Sequence, residues 1–310
     1  MLSQAVPPAS WRNRGSSQQA ARPHRHRRRA RRPRPHRCPS HPVRRTPFRA
    51  PRPRHGGTSR TKSGGDYAHP RPLHDALDHG FASVEADIWL VGGQLLVAHD
   101  EIDLDPARTL QSLYLDPLAA RIRANGGSVY RSAPRRSLQL LIDLKTAGEP
   151  TYRALSRALR PYRSILGSAT AGRVRRGAVT AVVSGDRAAR APLEAEAVRW
   201  AFYDGRIEDL GGPAPASFIP LISGNWNNSF RWQGTGPIPA DERAALHDLT
   251  GRAHAAGQAV RFWATPDAPG PARDAVWGEL LAAGADWINT DDLPGLAAFL
   301  RTHDAVSGGR

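Results

Sequence analysis

The chain has little of several features that usually define a protein class. It contains one cysteine, Cys38, in 310 residues, which excludes an intrachain disulfide and a zinc site built from several cysteines. Its longest apolar runs, such as residues 179–183, are far shorter than the roughly 20 residues that a membrane-spanning helix needs. Prolines and arginines interrupt the apolar stretches near Met1, so we expect no classical export signal in the sequence as written.

Acidic residues are absent from residues 1–65, which contain 18 Lys+Arg and ten prolines; the first acid is Asp66. The net charge of +16 belongs to this segment, because the remaining residues carry 26 Lys+Arg against 28 acids. A segment so poor in apolar residues predicts a disordered tail. Three interpretations are open: an arm that binds nucleic acid or anionic membrane, an inert solvated tail, and a GC-rich reading frame that is not a selected protein segment.

Strand-length apolar runs alternate with helical periodicity from residue 66 onward. Such strand–helix units predict a parallel sheet covered by helices, and their number favours a (β/α)8 TIM-type barrel over residues 66–303, followed by a flexible C-terminus at 304–310. The sequence contains no G-x-G-x-x-G or Walker A motif that would favour an open nucleotide-binding sheet. The predicted strands are 83–91, 95–99, 138–145, 178–185, 199–204, 217–223, 259–265 and 285–290. The predicted helices are 72–79, 106–124, 149–166, 187–198, 240–256, 271–283 and 293–302.

Two acids, Glu85 and Asp87, lie on one face of the predicted strand 83–91, because successive side chains of a strand alternate between faces. Two carboxylates side by side in a barrel repel each other unless a positive charge lies between them. A divalent cation with oxygen ligands would supply that charge. The alternative is a solvated acidic strand end paired with an arginine, which is the more frequent case for E-x-D alone.

A second motif places Asp143 and Lys145 on one face of an otherwise apolar strand. Asp143 is a candidate third metal ligand and Lys145 a candidate partner for a phosphate oxygen, with a buried ion pair as the alternative. His99 ends another strand and is either a structural or a catalytic histidine. Because working residues of α/β barrels lie at the C-terminal ends of strands, the combination predicts metal-assisted phosphoryl transfer. The metal and the lysine would neutralise the phosphodiester while the histidine protonates the leaving alkoxide.

Weaker candidates follow later in the chain. Arg261 and Trp263 share a strand face and are candidate substrate-binding residues, with barrel packing as the alternative. Ser184 and Ser223 end strands, where they contact a ligand or form turns. One of the two acids at 291–292 is expected to be the N-cap of the last helix rather than a catalytic residue.

The chain resembles the PI-PLC-like and glycerophosphodiester phosphodiesterase superfamily, and within it the bacterial group related to altered inheritance of mitochondria protein 6. The resemblance covers residues 66–303 and is carried by VEADIWL (84–90), LLVAHD (95–100), LLIDLKT (140–146), RFWATPD (261–267) and GADWINTDD (284–292). It implies a barrel that cleaves glycerophosphodiesters or phospholipid-type phosphodiesters with Mg²⁺ or Ca²⁺. It also implies roles for single residues: Glu85, Asp87 and Asp143 as metal ligands, His99 as one of an acid/base histidine pair, and Lys145 as the phosphate-side lysine.

The resemblance fails at the first strand, which ends in His-Asn-Asp-Tyr in the family group. Asp66 and Tyr67 match, but Gly64 stands at the position of the first catalytic histidine, and His69 fits the later His-Pro of the motif. We therefore expect a missing or altered first strand, and the loss of one acid/base partner typically costs about 10²–10⁴ in rate. Because the family likeness begins where the acid-free segment ends, we favour the reading-frame interpretation of the tail.

Two functions from different classes follow from these patterns. The leading prediction is a metal-dependent phosphoric diester hydrolase, monomeric, whose activity is impaired by the loss of the first histidine. The alternative is a catalytically inactive barrel that binds anionic lipid or nucleic acid through the tail. A metal-independent isomerase or aldolase is disfavoured because the carboxylates would then lack a counter-charge. The resemblance suggests an exported protein, although no export signal is recognised.

Overall fold

A curled sheet of parallel strands organises the fold in the computed structural model, which describes residues 61–63 and 71–307 and the side chains of 71–303. Most of the predicted tail lies outside the described residues, and so do Gly64, Asp66, Tyr67 and His69. The described part of the chain therefore begins in the sheet, at Thr61–Ser63, and continues from Arg71.

The strands of the described residues form one sheet of nine strands and one of three. In chain order they are β1 (Thr61–Ser63), β2 (Ser83–Val91), β3 (Gln94–Val97), β4 (Leu138–Leu144), β5 (Ser168–Thr170), β6 (Arg173–Arg175), β7 (Val179–Gly185), β8 (Val198–Arg199), β9 (Phe202–Arg206), β10 (Leu221–Asn225), β11 (Ala259–Trp263) and β12 (Trp287–Thr290).

Eight of the described strands of the large sheet are parallel and lie in the order β1, β12, β11, β10, β9, β7, β4, β2. The ninth, β3, is antiparallel to the C-terminal half of β2. The short strand β1 pairs in parallel with β12 on one side and with β2 on the other, so the sheet is strongly curled. A first strand is thus present among the described residues, and the segment assigned to the tail reaches into the sheet at residues 61–63.

Helices follow most of the parallel strands, as expected for repeated strand–helix units. They are α1 (Pro72–Asp78), α2 (Asp116–Ala124), α3 (Gly148–Leu159), α4 (Arg190–Glu194), α5 (Trp226–Ser229), α6 (Ala240–Ala255), α7 (Pro271–Ala283) and α8 (Leu293–Ser307). No helix among these described ones is long and apolar enough to cross a membrane. The helix α8 continues to Ser307, so part of the predicted flexible C-terminus, 304–310, is helical.

The sheet buries apolar side chains on both faces. Val84, Ala86 and Ile88 of β2 belong to a large buried cluster that includes residues of the covering helices, such as Leu155 of α3 and Trp277 of α7. A second, smaller cluster consists of inward-facing residues of four central strands and one residue of the small sheet: Leu141, Val182, Phe202, Leu221 and Ala169. This second cluster, which we call the apolar floor, separates the small sheet from the polar interior described below.

The predicted α/β class is confirmed, with differences in individual elements. The strand 83–91 and the helix 271–283 have the predicted bounds. The predicted strand 217–223 lies later, at Leu221–Asn225, because Pro220 cannot donate a hydrogen bond within a central strand. The small sheet of β5, β6 and β8 was not predicted, since strands of two or three residues leave no periodicity in the sequence.

The last helix begins at the acidic pair 291–292, as the sequence indicates. Asp292 is the N-cap: its Oδ1 accepts a hydrogen bond of 2.9 Å from the backbone N–H of Gly295. Its Oδ2 accepts a hydrogen bond of 2.7 Å from Nη1 of Arg273. The capping hydrogen bond and Arg273 together hold the pKa of Asp292 below its ordinary value. Asp292 therefore has a structural role, which confirms the prediction of capping over catalysis.

Candidate functional site

Polar side chains lie one step beyond the apolar floor on the same strands. Side chains on one face of a strand recur every second residue, so the next inward position lies two residues toward the C-terminal end. These positions are occupied by Asp143 on β4, Ser184 on β7, Asp204 on β9 and Ser223 on β10. The interior of the curled sheet thus changes from apolar to polar within one strand repeat, at the end where α/β barrels carry their working residues.

The ammonium of Lys145 lies between two carboxylates. Asp87 of β2 and Asp143 of β4 stand directly opposite each other in the parallel register. The Nζ atom of Lys145 is 3.2 Å from Oδ2 of Asp87 and 2.8 Å from Oδ2 of Asp143. The sequence prediction that Asp143 and Lys145 share a face is therefore confirmed, and the ion pair extends to Asp87 as well.

Burial raises the pKa of Asp87 to about 7, and the neighbouring Glu85 and Asp143 add to this effect while Lys145 opposes it. Burial lowers the pKa of Lys145, but Asp143 and Asp87 outweigh it and raise that pKa above its ordinary value. The lysine therefore stays protonated at neutral pH. It is one of only two lysines in a chain with 44 Lys+Arg, the other being Lys62.

Glu85 is paired with Arg261, a residue 176 positions away in sequence. Nη1 of Arg261 is 3.1 Å from Oε2 of Glu85 and donates a second hydrogen bond of 3.3 Å to Oδ1 of Asn289. Nε of Arg261 donates to Oγ of Ser223 at 3.0 Å. Because β11 and β2 are not neighbouring strands, this guanidinium crosses the interior of the curled sheet. Arg261 is only 4% exposed, so in this structure it acts as a counter-ion of Glu85.

Asp204 is the centre of a buried network that the sequence did not reveal. Its carboxylate is fully buried and accepts hydrogen bonds from Oγ of Ser223 at 2.6 Å, Oγ of Ser184 at 2.8 Å and Nη1 of Arg206 at 2.7 Å. Gly205 allows this strand to pack closely, since a Cβ there would lie 2.5 Å from Cγ2 of Ile219. Phe202, Asp204 and Arg206 alternate along one face of β9, a pattern that could have indicated inward-facing polar residues. The predicted strand ended at residue 204 and therefore left out Arg206.

The two networks share Ser223, which accepts from Arg261 and donates to Asp204. A chain of hydrogen bonds therefore runs from Arg206 through Asp204, Ser223 and Arg261 to Glu85. Ser223, a weak candidate from sequence, is fully buried and positions charged side chains. This continuity fixes the rotamers of the charged groups before any ligand binds.

His99 and Trp263 lie at the exposed edge of this region. His99 is half exposed, with Nδ1 3.3 Å from Oδ2 of Asp100. The preceding residue, Ala98, donates its backbone N–H to the carbonyl of Asp87 at 3.2 Å, which ties the histidine's segment to the acidic strand. Trp263 is 39% exposed and is followed by Ala264, whose φ of 58° is unusual for a non-glycine residue. The catalytic role of His99 and the substrate-binding roles of Arg261 and Trp263 stay predictions.

The three predicted metal ligands can be judged by their chemistry and charge. Glu85, Asp87 and Asp143 are carboxylates, the donors that Mg²⁺ and Ca²⁺ prefer. When all three are ionised, they exceed the two neighbouring cations of the chain by one charge. Within the described residues, however, no group of three His, Cys, Asp or Glu side chains is arranged as a ligand set. The donor set thus fits a hard divalent cation, but the pairing with Lys145 and Arg261 would have to loosen to admit one.

Comparison with known proteins gives two family matches. The AIM6-like phosphodiesterase domain matches residues 57–204, and the glycerophosphoryl diester phosphodiesterase family matches residues 259–294. The first match includes Glu85, Asp87, His99, Asp143 and Lys145, and the second includes Arg261 and Trp263.

Two solved structures align with most of the chain at low scores. A glycerophosphodiester phosphodiesterase from Agrobacterium tumefaciens aligns with 79% of this chain and 99% of its own at 17% identity, with a TM-score of 0.42. A glycerophosphoryl diester phosphodiesterase from Parabacteroides distasonis aligns with 83% and 90% at 13% identity, with a TM-score of 0.49. Scores this low do not bear on function.

Curated relatives extend over most of the chain. Altered inheritance of mitochondria protein 6 of Eremothecium gossypii is 28% identical over 78% of this chain and 69% of its own length. The homologue from Arthroderma benhamiae is 30% identical over 70% of this chain and 74% of its own. These relatives are fungal, which corrects the bacterial grouping expected from sequence. The chain belongs to the altered inheritance of mitochondria protein 6 family.

Proposed function

We propose that the chain is a phosphoric diester hydrolase that acts on a glycerophosphodiester or a phospholipid-type phosphodiester. The observation that carries this proposal is the ammonium of Lys145, held between Asp87 and Asp143 at the C-terminal ends of two strands. A protonated amine that is one-quarter exposed offers a fixed positive charge to a phosphate oxygen. The match to a phosphodiesterase domain family supports the same reaction class.

Each of the proposed site residues would have its own role in the reaction. Lys145 would bind a non-bridging phosphate oxygen and stabilise the charge that develops as water or a substrate hydroxyl attacks phosphorus and releases its proton to solvent. His99 would donate a proton to the alkoxide that leaves when the phosphorus–oxygen bond breaks. Arg261 would hold Glu85 in place through their ion pair. Trp263 would contact the alcohol part of the substrate. Without the first histidine, at Gly64, we expect a rate about 10²–10⁴ lower than that of a site with both acid/base groups.

We also propose that the site binds Mg²⁺ or Ca²⁺ through Glu85, Asp87 and Asp143. When bound, such an ion supplies a Lewis acid that neutralises charge on the phosphodiester. The proposal is supported by the three carboxylate donors and by the burial and like charges that raise the pKa of Asp87 to about 7. A resident cation would relieve this unfavourable concentration of negative charge.

Metal binding is measurable without any assay of activity. Saturating Mg²⁺ or Ca²⁺, at about 100 times the dissociation constant, should stabilise the native chain by about 2.7 kcal/mol and raise its melting temperature. Asp143→Asn should abolish this shift, whereas Asp248→Asn on the exposed face of α6 should preserve it. If neither ion shifts the melting temperature of the native chain, the metal proposal is wrong.

The role of His99 is testable on glycerophosphocholine, whose leaving group is a basic alkoxide. His99→Ala should lower the rate of hydrolysis by about 10²–10⁴, because the leaving alkoxide then lacks a proton donor. His247→Ala, an exposed histidine of α6, is the matched control and should leave the rate unchanged. Equal rates in both variants would contradict the assigned role. On bis(p-nitrophenyl) phosphate the same variant should lose much less activity, because p-nitrophenolate leaves without protonation.

We further propose that the sheet closes into a complete (β/α)8 barrel. The support is the double pairing of β1, which aligns Thr61 with Ile288 of β12 and Lys62 with Ser83 of β2.

A further inference from the structure

A cavity of about 580 Å³ lies at the opposite end of the sheet from Glu85, Asp87 and Asp143. It is formed where the loop before β4, the C-terminal end of α2 and the residues before β7 meet. Ser137, which lines it, precedes Asp143 by six residues, or about 20 Å along an extended strand. The cavity is therefore separate from the proposed active site.

Arginine dominates the wall of this cavity. Of its 14 lining residues five are arginine and none is Asp or Glu. The arginines are Arg123, Arg135, Arg136, Arg175 and Arg176. A concave surface with one sign of charge concentrates the field of its side chains and attracts ions of the opposite sign.

The surrounding sequence has the same bias. Residues 117–142 contain five arginines and residues 150–185 contain seven, and neither segment contains an acid, although residues 66–310 as a whole carry 26 Lys+Arg against 28 acids. Positive charge is thus concentrated in the two segments that line the cavity, which are bounded in sequence by Asp116, Asp143, Glu149 and Asp186.

Two of the arginines are held in place by the protein itself. Nη2 of Arg175 donates to the carbonyl oxygens of Leu166 at 2.6 Å and Arg163 at 3.0 Å, and its Nε donates to Oγ of Ser168 at 3.3 Å. The guanidinium of Arg136 lies 5.9 Å from the ring centre of Tyr130, whose hydroxyl donates to the carbonyl oxygen of Phe81. These contacts shape the wall in advance, whereas Arg123 and Arg135 are exposed at the cavity and can turn toward a ligand.

We propose that this cavity binds a soluble anion that carries two or more phosphate groups. Its volume is in the range of small-molecule sites, and a wall with five arginines carries more positive charge than one phosphate would neutralise. A lipid surface is less suitable because, on the proposed function, a membrane docked at this end would face away from the catalytic residues.

The test uses inorganic pyrophosphate and the full chain. Isothermal titration should show saturable binding that is at least about tenfold weaker in the double variant Arg123→Ala/Arg135→Ala, because each guanidinium donates charge-assisted hydrogen bonds. Arg301→Ala, on α8, is the matched control and should bind like the native chain. Since residues 1–65 carry 18 Lys+Arg, hydrogen exchange must locate the binding, and pyrophosphate should protect residues 121–137 and 163–178.

Three results would overturn the proposal. The first is equal affinity in the native chain and the double variant. The second is orthophosphate binding as tightly as pyrophosphate, which would remove the requirement for adjacent phosphates. The third is binding of phosphatidylserine vesicles that depends on Arg123 and Arg135 and that pyrophosphate does not displace, which would identify a membrane surface instead. Because none of these readouts involves hydrolysis, failure here is independent of the proposed function.

Discussion

Replacing Lys145 with methionine should lower the rate of phosphodiester hydrolysis by about 10²–10³, the usual effect of removing one charge-stabilising donor from an active site. The ammonium lies 3.2 Å from Asp87 and 2.8 Å from Asp143, so its loss leaves two facing carboxylates that repel the anionic substrate. The measurement is steady-state hydrolysis of a phosphodiester under saturating Mg²⁺ or Ca²⁺.

Two further variants separate the function of Lys145 from its contribution to folding. Lys145→Arg keeps the charge but replaces a compact ammonium with a planar guanidinium, and should recover only part of the rate. Arg301→Met removes an exposed cation from α8 and should leave the rate unchanged. If Lys145→Met folds and hydrolyses substrate as fast as the native chain, Lys145 does not bind the phosphate.

The largest effect on stability should come from Asp204→Ala. Its carboxylate is fully buried and is the acceptor for Ser184, Ser223 and Arg206. Breaking a buried pair typically costs about 3–5 kcal/mol. The Arg206 side chain is 27% exposed and can reach water, so we expect the lower end of this range. The free energy of unfolding, measured with urea, should fall by about 3 kcal/mol.

Asp248→Ala is the control for this variant. Asp248 lies on the surface of α6, where its Oδ2 is 3.4 Å from Nη1 of Arg252. Exposed pairs of this kind contribute little, so the change should stay within about 0.5 kcal/mol. If Asp204→Ala lowers the free energy of unfolding by less than about 1 kcal/mol, water replaces the carboxylate at low cost. The network would then not fix Arg261.

Local patterns in the sequence predicted a large part of the fold and of the site. The strand 83–91 has the predicted bounds because apolar residues alternate with Ser83, Glu85 and Asp87 and then continue to Val91, before the glycines at 92–93. The helix 271–283 does so because Pro271 begins it and Gly284, with φ of 82°, ends it. The motifs E-x-D and D-x-K meet because β2 and β4 are neighbours in register.

Contacts between distant parts of the chain could not be predicted in the same way. The pairing of Glu85 with Arg261 joins residues 176 positions apart, and nothing local in either strand indicates it. The network around Asp204 depends on the order of β7, β9 and β10 in the sheet, which follows from the tertiary fold. The cavity of arginines likewise forms from segments that are separate in sequence.

The three carboxylates do lie beside positive charge, as the sequence predicts, but side chains of the chain supply part of that charge. Carboxylates on neighbouring inward positions do require positive charge between them. The metal ion was the leading predicted source, and an arginine partner and a buried ion pair were the alternatives; in the structure Arg261 and Lys145 provide two of the charges. The third carboxylate leaves room for one more cation, which is why the metal remains part of the proposed function.

The most direct test of the proposed hydrolysis is to observe the phosphorus atom of glycerophosphodiesters during the reaction. Glycerophosphocholine, glycerophosphoethanolamine and glycerophosphoglycerol can be incubated together with the full chain and Mg²⁺ or Ca²⁺ and observed by ³¹P NMR. We predict that at least one diester resonance declines while a product resonance rises, and that Lys145→Met slows this conversion about 10²–10³-fold. Diester resonances that persist unchanged with either ion, or that decline equally in both proteins, would contradict phosphodiester hydrolysis at this site.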